Sequence, residues 1–149
     1  MYNEEFIRQL DEQNLDKKKI FVNGTFDVLH VGHLELLNHA RRLGDHLVVA
    51  IDSDERVREK KGPSRPVFDQ MERLHMLMNI RAVDEVYIFV SDDGLRDVVK
   101  KVSPDIMVVG SDWKGKEIIG SEYAGCVQYF ERIPGFSTTE KIQSIIDRG

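Results

Sequence analysis

The stretch from residue 20 to residue 43 constrains the fold more than any other part of the chain. An apolar run at residues 20–22 leads into an Asn-Gly-Thr turn, and residues 34–43 then carry leucine and alanine at spacings of three and four. A short apolar run bounded by glycine is typical of a buried strand, and the later spacing predicts a helix with one apolar face. We therefore expect a strand, a tight turn and a helix in direct succession.

The start of this helix predicts an anion site. The first N–H groups of a helix have no partner within it, and the helix dipole favours negative charge at that end. His30 and His33 flank Gly32 here, so their ring nitrogens would add donors to the backbone N–H groups. We interpret the stretch as a site that binds the phosphates of a nucleotide and takes part in a reaction at them. Two other interpretations stay open: zinc ligands, for which the chain shows no further Cys/His set, and ordinary capping or surface histidines.

Further apolar runs predict a parallel sheet. Residues 47–51 form a continuous apolar run without alternation, which is typical of a strand covered on both faces. Similar runs alternate with amphipathic segments, so we expect an open parallel α/β sheet of five strands with helices on both faces. Strands are predicted from residue 20 and at residues 47–51, 86–90, 106–109 and 127–130. Helices are predicted at residues 3–14, 32–43, 71–80 and 95–102, and from Ser137 onward.

Polar residues gather at the predicted carboxyl ends of these strands, where ligands bind in sheets of this type. The ends carry residues 23–25, Asp52, residues 110–112 and the turn from 132 to 139. Within that last turn, Ser137 and Glu140 have the spacing of a capping box, which alone would explain a plain helix start. The same helix start would also offer a second phosphate cradle, with Arg132 supplying a positive charge.

Residues 55–68 hold five Lys or Arg residues together with glycine and proline. A segment this long and charged is predicted to be a lid or binding loop, and the alternative is a solvated basic turn. Arg73 lies early in the next predicted helix, where the dipole disfavours a cation, so a ligand could explain its position. The buried side of that helix is predicted to be Met71, Leu74, Leu77 and Met78.

Composition narrows the class of protein. The chain has 149 residues, which we expect to form a single domain with residues 1–18 as an N-terminal helical extension. A net charge of -5 argues against holding nucleic acid by global charge, so an anionic ligand needs a local cationic patch. The single cysteine, Cys126, permits no internal disulfide and is expected to be buried. With no membrane-spanning run and no signal-peptide pattern, a soluble cytoplasmic protein is predicted.

Four motifs in fixed order carry a family resemblance. Gly-Thr-Phe-Asp at 24–27, His-Val-Gly-His at 30–33, Met-Glu-Arg at 71–73 and Ser-Thr-Thr at 137–139 resemble the motifs of cytidylyltransferase-like nucleotidyltransferases. The likeness covers about residues 19–147. It implies a Rossmann-like α/β domain that transfers a nucleotidyl group from an NTP to a phosphate monoester and releases pyrophosphate. It also implies Mg²⁺ and a homodimer.

The resemblance further implies roles for individual residues, and it implies no protein ligand to a metal. Residues with an implied catalytic role are His30, His33, Lys61 and Arg73. Residues with an implied nucleotide-binding role are Gly24, Thr25, Phe26, Gly32, Gly110, Asp112, Arg132, Ser137, Thr138 and Thr139. Residues with an implied acceptor-binding role are Asp27, Lys60, Arg65 and Trp113. The acceptor phosphate already carries an ionised oxygen, so catalysis can rest on positioning and charge neutralisation without a protein nucleophile.

Two branches of the family compete for the substrate. Residues 61–67 and 118–122 resemble the adenylyltransferase that joins ATP to D-glycero-D-manno-heptose 1-phosphate to give ADP-heptose. Asp112-Trp113 and Arg132 look more like glycerol-3-phosphate cytidylyltransferases, which make CDP-glycerol from CTP, and the heptose type usually has Tyr where this chain has Trp113. The longer match favours the heptose branch. A non-catalytic nucleotide-binding module and a flavodoxin-like signalling domain are the remaining alternatives.

Overall fold

The computed structural model describes residues 4, 5, 8 and 17–149, and its centre is one five-stranded sheet. Every strand pair is parallel, and the spatial order is β3-β2-β1-β4-β5. The predicted open parallel sheet is therefore confirmed. The strands are β1 (Lys19–Gly24), β2 (His46–Asp52), β3 (Glu85–Phe89), β4 (Ile106–Gly110) and β5 (Cys126–Phe130). The helix predicted at 3–14 and the extension predicted at 1–18 lie almost entirely outside the described residues.

Helices cover both faces of this sheet, as predicted. The helices are α1 (Val31–Arg42), α2 (Asp54–Lys61), α3 (Gln70–Met78), α4 (Asp92–Val102) and α5 (Thr138–Arg148). Successive residues of β1 enter opposite cores, because side chains alternate across a strand. Ile20 packs in the core that contains Leu37 of α1 and Leu77 of α3, whereas Phe21 packs in the core that contains Leu95 of α4.

Helix α2 occupies residues 55–61, half of the segment that was predicted to be a loop, so the prediction was wrong for that half. Ser53 caps it, acidic residues occupy its first turn and basic residues its last, an arrangement that complements the helix dipole. All eight residues of α2 are described, and Val57 is the buried one among them. One buried residue gives no apolar periodicity, which explains why the pattern did not predict a helix.

Two predictions of burial were also wrong. Met71 and Met78 of α3 are 51% and 46% exposed, and Arg73 occupies the buried side with Leu77. Cys126 is exposed because it begins β5, which lies at the edge of the sheet. None of the helices in the described ranges combines the length and the apolar character needed to cross a membrane.

The chain changes direction across the sheet between β1 and β4, which lie side by side. Loops that leave neighbouring strands at such a switch point run to opposite sides and open a crevice at the carboxyl ends. The connection from β4 to β5 contains two 3-10 turns, Ser111–Trp113 and Ser121–Tyr123, instead of a helix. Ile118 and Ile119 of this connection pack against the core beneath α4. The crevice therefore has one wall from α1 and another from this connection.

Candidate active site

A cleft of about 460 Å³ lies at the carboxyl ends of the strands. It is where the sequence predicted the polar residues to gather. Most of the predicted site residues line it, whereas Arg65, Arg73 and Asp112 do not. The predicted residues that line the cleft are Gly24, Thr25, Phe26, Asp27, His30, Gly32, His33, Lys60, Lys61, Gly110, Trp113, Arg132, Ser137, Thr138 and Thr139.

The two histidines cap the start of α1 with their own rings. His30 Nδ1 accepts a hydrogen bond from Gly32 N at 3.0 Å, and His33 Nδ1 accepts one from His30 N at 3.2 Å. The rings stack with their centroids 3.9 Å apart. A neutral imidazole that accepts at Nδ1 carries its proton on Nε2. Each ring therefore keeps one Nε2–H group that the helix start does not use.

The surroundings keep both rings neutral. Burial, followed by the neighbouring His30 ring and Lys61, lowers the pKa of His33 to about 4, although Asp27 acts in the opposite direction. Burial and then Lys141 also lower the pKa of His30. Near pH 7 the pair therefore presents neutral N–H donors.

Gly32 has no space for a side chain. A Cβ atom there would lie 2.9 Å from Cε1 of His30 and 3.2 Å from Cβ of Phe136. Phe136 belongs to the turn before α5, so the missing side chain lets the starts of α1 and α5 approach each other. Thr138 also connects them, because its Oγ1 donates to the carbonyl oxygen of Asp27 at 2.7 Å. Both predicted phosphate cradles therefore open into the same cleft.

The start of α5 forms one half of the predicted capping box. Ser137 Oγ accepts a hydrogen bond from Glu140 N at 3.1 Å, and α5 begins at Thr138. The return bond, in which Ser137 N would donate to the Glu140 carboxylate, is not among the hydrogen bonds of the described residues. The Glu140 carboxylate therefore takes no part in capping α5.

Asp27 has a different role from the acceptor binding that the sequence predicted. Its carboxylate accepts from Val67 N at 2.7 Å and from Phe68 N at 3.0 Å, and the side chain is fully buried. The flanking residues Phe26 and Val28 have φ angles of 52° and 50°, a left-handed conformation that is strained for these side chains. This turn therefore holds the loop after α2 in place, and its carboxylate oxygens are already engaged.

Arg73 requires a second correction, because its guanidinium cannot reach a ligand in the cleft. The residue is 1% exposed. It donates to the carbonyl oxygens of Phe68, Thr25 and Asp52 and to the carboxylate of Asp54, at 2.8–3.0 Å. These bonds join the ends of β1 and β2 to the start of α2. The cation that opposes the dipole of α3 is therefore balanced by protein oxygens, and Arg73 positions other residues.

The two lysines at the end of α2 differ in their partners. Lys60 Nζ lies 3.3 Å from Oδ1 of Asp52, which also accepts from Nε of Arg56 at 2.8 Å. Lys61 has no ion-pair partner within 4.0 Å among the residues that the structure describes. Burial, with a smaller contribution from Arg65, lowers its pKa. Lys61 is therefore the ammonium that remains available to an anion, and it lies near His33.

The remaining predicted residues are Arg65, Arg132 and Asp112. Arg65 Nη1 is 3.4 Å from Thr139 Oγ1, and its Nε is 3.7 Å from Asp27. Within the described chain, Arg65 Nε and Nη2 are buried without a hydrogen-bond partner. Arg132 lines the cleft, and Asp112, which does not, lies 3.3 Å from its Nη2.

Sequence reasoning predicted Gly110 and Trp113 on one wall of the cleft and missed the rest of that wall. This wall lies on the α4 side of the sheet and is mostly apolar, and Arg56 extends toward it by donating to Asp92 at the start of α4. Arg56 lies in the first turn of α2 and pairs with Asp52 at the end of β2, so it would have been recognisable if α2 had been predicted. The missed residues that line this wall are Leu95, Val109, Glu117, Ile118 and Ile119.

The cleft does not contain a preformed metal cage. Among residues 4, 5, 8 and 17–149, three or more His, Cys, Asp or Glu residues nowhere come together as metal ligands would. The oxygens of Asp27 are engaged by backbone N–H groups, and Asp52 is paired with Arg56 and Lys60. This donor set suits a Mg²⁺ ion that is held mainly by substrate phosphates and water.

The chain is similar to a known protein family and to curated proteins. The cytidylyltransferase-like family model matches residues 21–143. The bifunctional protein HldE of a Nitratiruptor species is 40% identical over 148 residues, which cover 94% of this chain and 32% of that protein. HldE of Campylobacter jejuni (strain RM1221) is 42% identical over 146 residues, which cover 98% of this chain and 31% of that protein. The chain therefore spans about a third of the length of these curated relatives.

A solved structure is also similar to this chain. The lipopolysaccharide core biosynthesis protein of Thermoplasma volcanium GSS1 superposes with a TM-score of 0.63 at 29% identity, over 81% of this chain and 99% of that one. The family model covers most of the chain, including the histidine pair and the start of α5. The chain therefore belongs to the cytidylyltransferase-like family, as its motifs predicted.

Proposed function

We propose that this protein transfers the adenylyl group of ATP to D-glycero-D-manno-heptose 1-phosphate, giving ADP-heptose and pyrophosphate. The observation that carries the proposal is the pair of neutral rings at the start of α1. His30 and His33 each keep an Nε2–H group, and Lys61 adds an ammonium nearby. Donors of this kind stabilise negative charge that develops on phosphate oxygens.

The proposed reaction is an in-line displacement at the α-phosphorus. An ionised oxygen of the acceptor phosphate attacks, a new P–O bond forms, and the bond to the β-phosphate oxygen breaks, so that pyrophosphate carries away the electron pair. The acceptor oxygen is already ionised, so the protein does not need to remove a proton. Lys61 would neutralise charge on the triphosphate, the Nε2–H groups of His30 and His33 would donate hydrogen bonds to its oxygens, and the N–H groups at the start of α5 would hold further phosphate oxygens.

Mg²⁺ belongs to the proposal as a companion of the triphosphate. When bound, it would neutralise charge on the phosphate oxygens. Because the carboxylates of Asp27 and Asp52 are already engaged, we propose that the ion enters with the nucleotide. The homodimer and the cytoplasmic location stay predictions.

The choice of heptose over glycerol rests on two observations. Residues 61–67 and 118–122 resemble the heptose branch, and the similar curated proteins are bifunctional proteins named HldE. A specific observation favours the alternative, a glycerol-3-phosphate cytidylyltransferase. Trp113 lines the cleft and Asp112 is paired with Arg132, and these are the residues that resemble that branch.

A substrate matrix tests the proposal. Four NTPs are each combined with heptose 1-phosphate, glycerol 3-phosphate and other phosphate monoesters in the presence of Mg²⁺, and pyrophosphate release is measured. We expect the highest kcat/KM for ATP with heptose 1-phosphate. A maximum for CTP with glycerol 3-phosphate would establish the alternative. Calorimetric binding of an NTP without product in any combination would instead indicate a non-catalytic binding module.

A further inference from the structure

The walls of the cleft differ in charge. The wall formed by α1, the end of α2 and the start of α5 carries His30, His33 and Lys61. The wall on the α4 side consists of Leu95, the connection between β4 and β5, and the end of β4. The phosphate donors described above therefore occupy one side of the sheet edge, and the other side is mostly apolar.

Two charged side chains reach this wall: Arg56, which is paired with Asp52 and Asp92, and Glu117. Glu117 is exposed, lines the cleft and lies directly before Ile118 and Ile119, which pack into the core beneath α4. Their packing fixes the backbone that presents Glu117. The side chain forms no ion pair within 4.0 Å and no hydrogen bond with any residue that the structure describes.

The other carboxylates of the cleft all have partners. Asp27 accepts two backbone hydrogen bonds at the loop after α2, and Asp52 is paired with Arg56 and Lys60. Asp112, just outside the cleft, is paired with Arg132. Among the described residues, Glu117 is therefore the acidic group of this cleft whose carboxylate has neither an ion pair nor a hydrogen bond.

The chemistry of a carboxylate decides what that ligand group is. An ionised carboxylate accepts hydrogen bonds and cannot donate them, and it repels a phosphate group. The group that faces Glu117 is therefore a hydrogen-bond donor and not a phosphate, and a sugar hydroxyl is such a donor. Both substrates of the proposed reaction carry such hydroxyls beyond their phosphates: the ribose of the nucleotide and the ring of the acceptor.

We infer that Glu117 accepts a hydrogen bond from a sugar hydroxyl and thereby selects the substrate at the non-phosphate end of the cleft. The inference rests on the proposed function for the identity of the two substrates. Glu117 is a specificity residue in this scheme and takes no part in the displacement at phosphorus.

The test compares Glu117→Ala and Glu117→Gln with the wild type. Losing a hydrogen bond between a charged group and a hydroxyl weakens binding about 10-fold to 100-fold. We expect Glu117→Ala to raise KM by about 10-fold for one substrate, with kcat changed less than about threefold, because the contact is distant from the reacting atoms. Glu117→Gln, which keeps an acceptor oxygen, should recover part of that loss.

Two sets of analogues identify the hydroxyl. Deoxyribonucleoside triphosphates and deoxy sugar phosphates are compared with the parent substrates by calorimetry, so that the result does not depend on turnover. If the ribose is the partner, the wild type discriminates against 2′- or 3′-deoxy ATP and Glu117→Ala does not. If the acceptor is the partner, the same pattern appears with the deoxy sugar phosphate.

Glu122→Gln is the matched control, because Glu122 lies on the same connection and pairs with Arg96 outside the cleft. It should leave the binding of both substrates unchanged. Equal binding of each parent and deoxy pair by the wild type, or unchanged substrate affinities in Glu117→Ala, would overturn the inference. A wild type that discriminates between hydroxyl analogues but releases no pyrophosphate would support Glu117 and contradict the proposed transferase.

Discussion

Helices α1 and α5 both begin at the candidate site, and the rest of each helix is held very differently. Leu37 and Ala40 of α1 are fully buried against the sheet. All residues of α5 are described and none of them is buried; Ile145 and Ile146 are 66% and 62% exposed. The first helix is thus fixed along its length, and the second is held mainly at its start.

This difference suggests that the two helix starts have different roles, one in stabilising the transition state and the other in binding the substrate. Charge stabilisation in a transition state requires donors that are fixed before the reaction, because moving them would cost free energy at that moment. α1 satisfies this requirement through its core contacts and its stacked ring pair. α5 is better suited to ground-state binding of phosphate oxygens. Four predictions test this comparison.

The largest effect is expected at the rings of α1. His33→Ala removes an Nε2–H donor, and loss of one such donor typically lowers kcat about 10²-fold to 10³-fold. The matched change at α5, Ser137→Ala, should raise KM for the nucleotide a few-fold with little change in kcat. Steady-state kinetics gives both values, and thermal unfolding checks that each variant is folded. Equal losses in kcat and in nucleotide affinity for His33→Ala would contradict a transition-state role.

The second prediction concerns the stability of the two helices. Leu37→Ala should lower the free energy of unfolding by about 2–5 kcal/mol, because it leaves a cavity in the core. Ile145→Ala should change it by less than about 0.5 kcal/mol, as is usual for an exposed side chain. Urea unfolding measures both. A large loss for Ile145→Ala would mean that another surface covers α5 in solution.

The strands and α1 could be predicted because the order of their apolar residues follows from which side chains are buried. Continuous apolar runs follow from coverage on both faces, and the leucine spacing of α1 follows from its contact with the sheet. Helix α2 has no apolar periodicity, because Val57 is its buried residue and its other residues are polar or charged. Charge complementarity with the dipole could have indicated it.

The roles of site residues were predictable where they depend on nearby residues in the chain. They were not predictable where they depend on contacts with residues far away in the sequence. The histidine cap depends on residues within one helical turn. The role of Arg73 depends on carbonyl oxygens at Thr25 and Asp52, and that of Asp27 on N–H groups forty residues further along the chain. Position 32 requires glycine partly because a side chain there would crowd Phe136. A sequence gives the identity of such residues but not the partners that occupy their polar atoms.

The third prediction uses the lowered pKa of His33. In the unfolded chain this histidine titrates near 6.5, and in the folded protein near 4. Between these values the unfolded state binds more protons, so His33 makes the folded protein less stable as the pH falls. Its contribution is fully present above pH 6.5 and is lost as the pH falls toward 4. Urea unfolding at several pH values should show a steeper acid loss for the wild type than for His33→Asn.

NMR gives an independent check of the same prediction. The Cε1–H resonance of His33 should move with a midpoint near pH 4 in the folded protein. Added nucleotide should shift the midpoint upward, because nearby phosphate charge favours the protonated ring. A midpoint near 6.5 in the ligand-free protein would mean that the ring is not buried as described.

The smallest effect is expected at the hydroxyl that ties α5 to the turn before α1. Thr138→Val keeps the shape of the side chain but removes the donor to the carbonyl oxygen of Asp27. Loss of a hydrogen bond of this kind costs about 1 kcal/mol, and here the loss falls on a helix that has little other anchorage. We therefore expect faster hydrogen exchange of the amides of α5, unchanged exchange in α1, and a modest rise in KM for the nucleotide. Exchange that accelerates equally in both helices would show that α1 and α5 open as one unit, and the assignment of different roles to their starts would then fail.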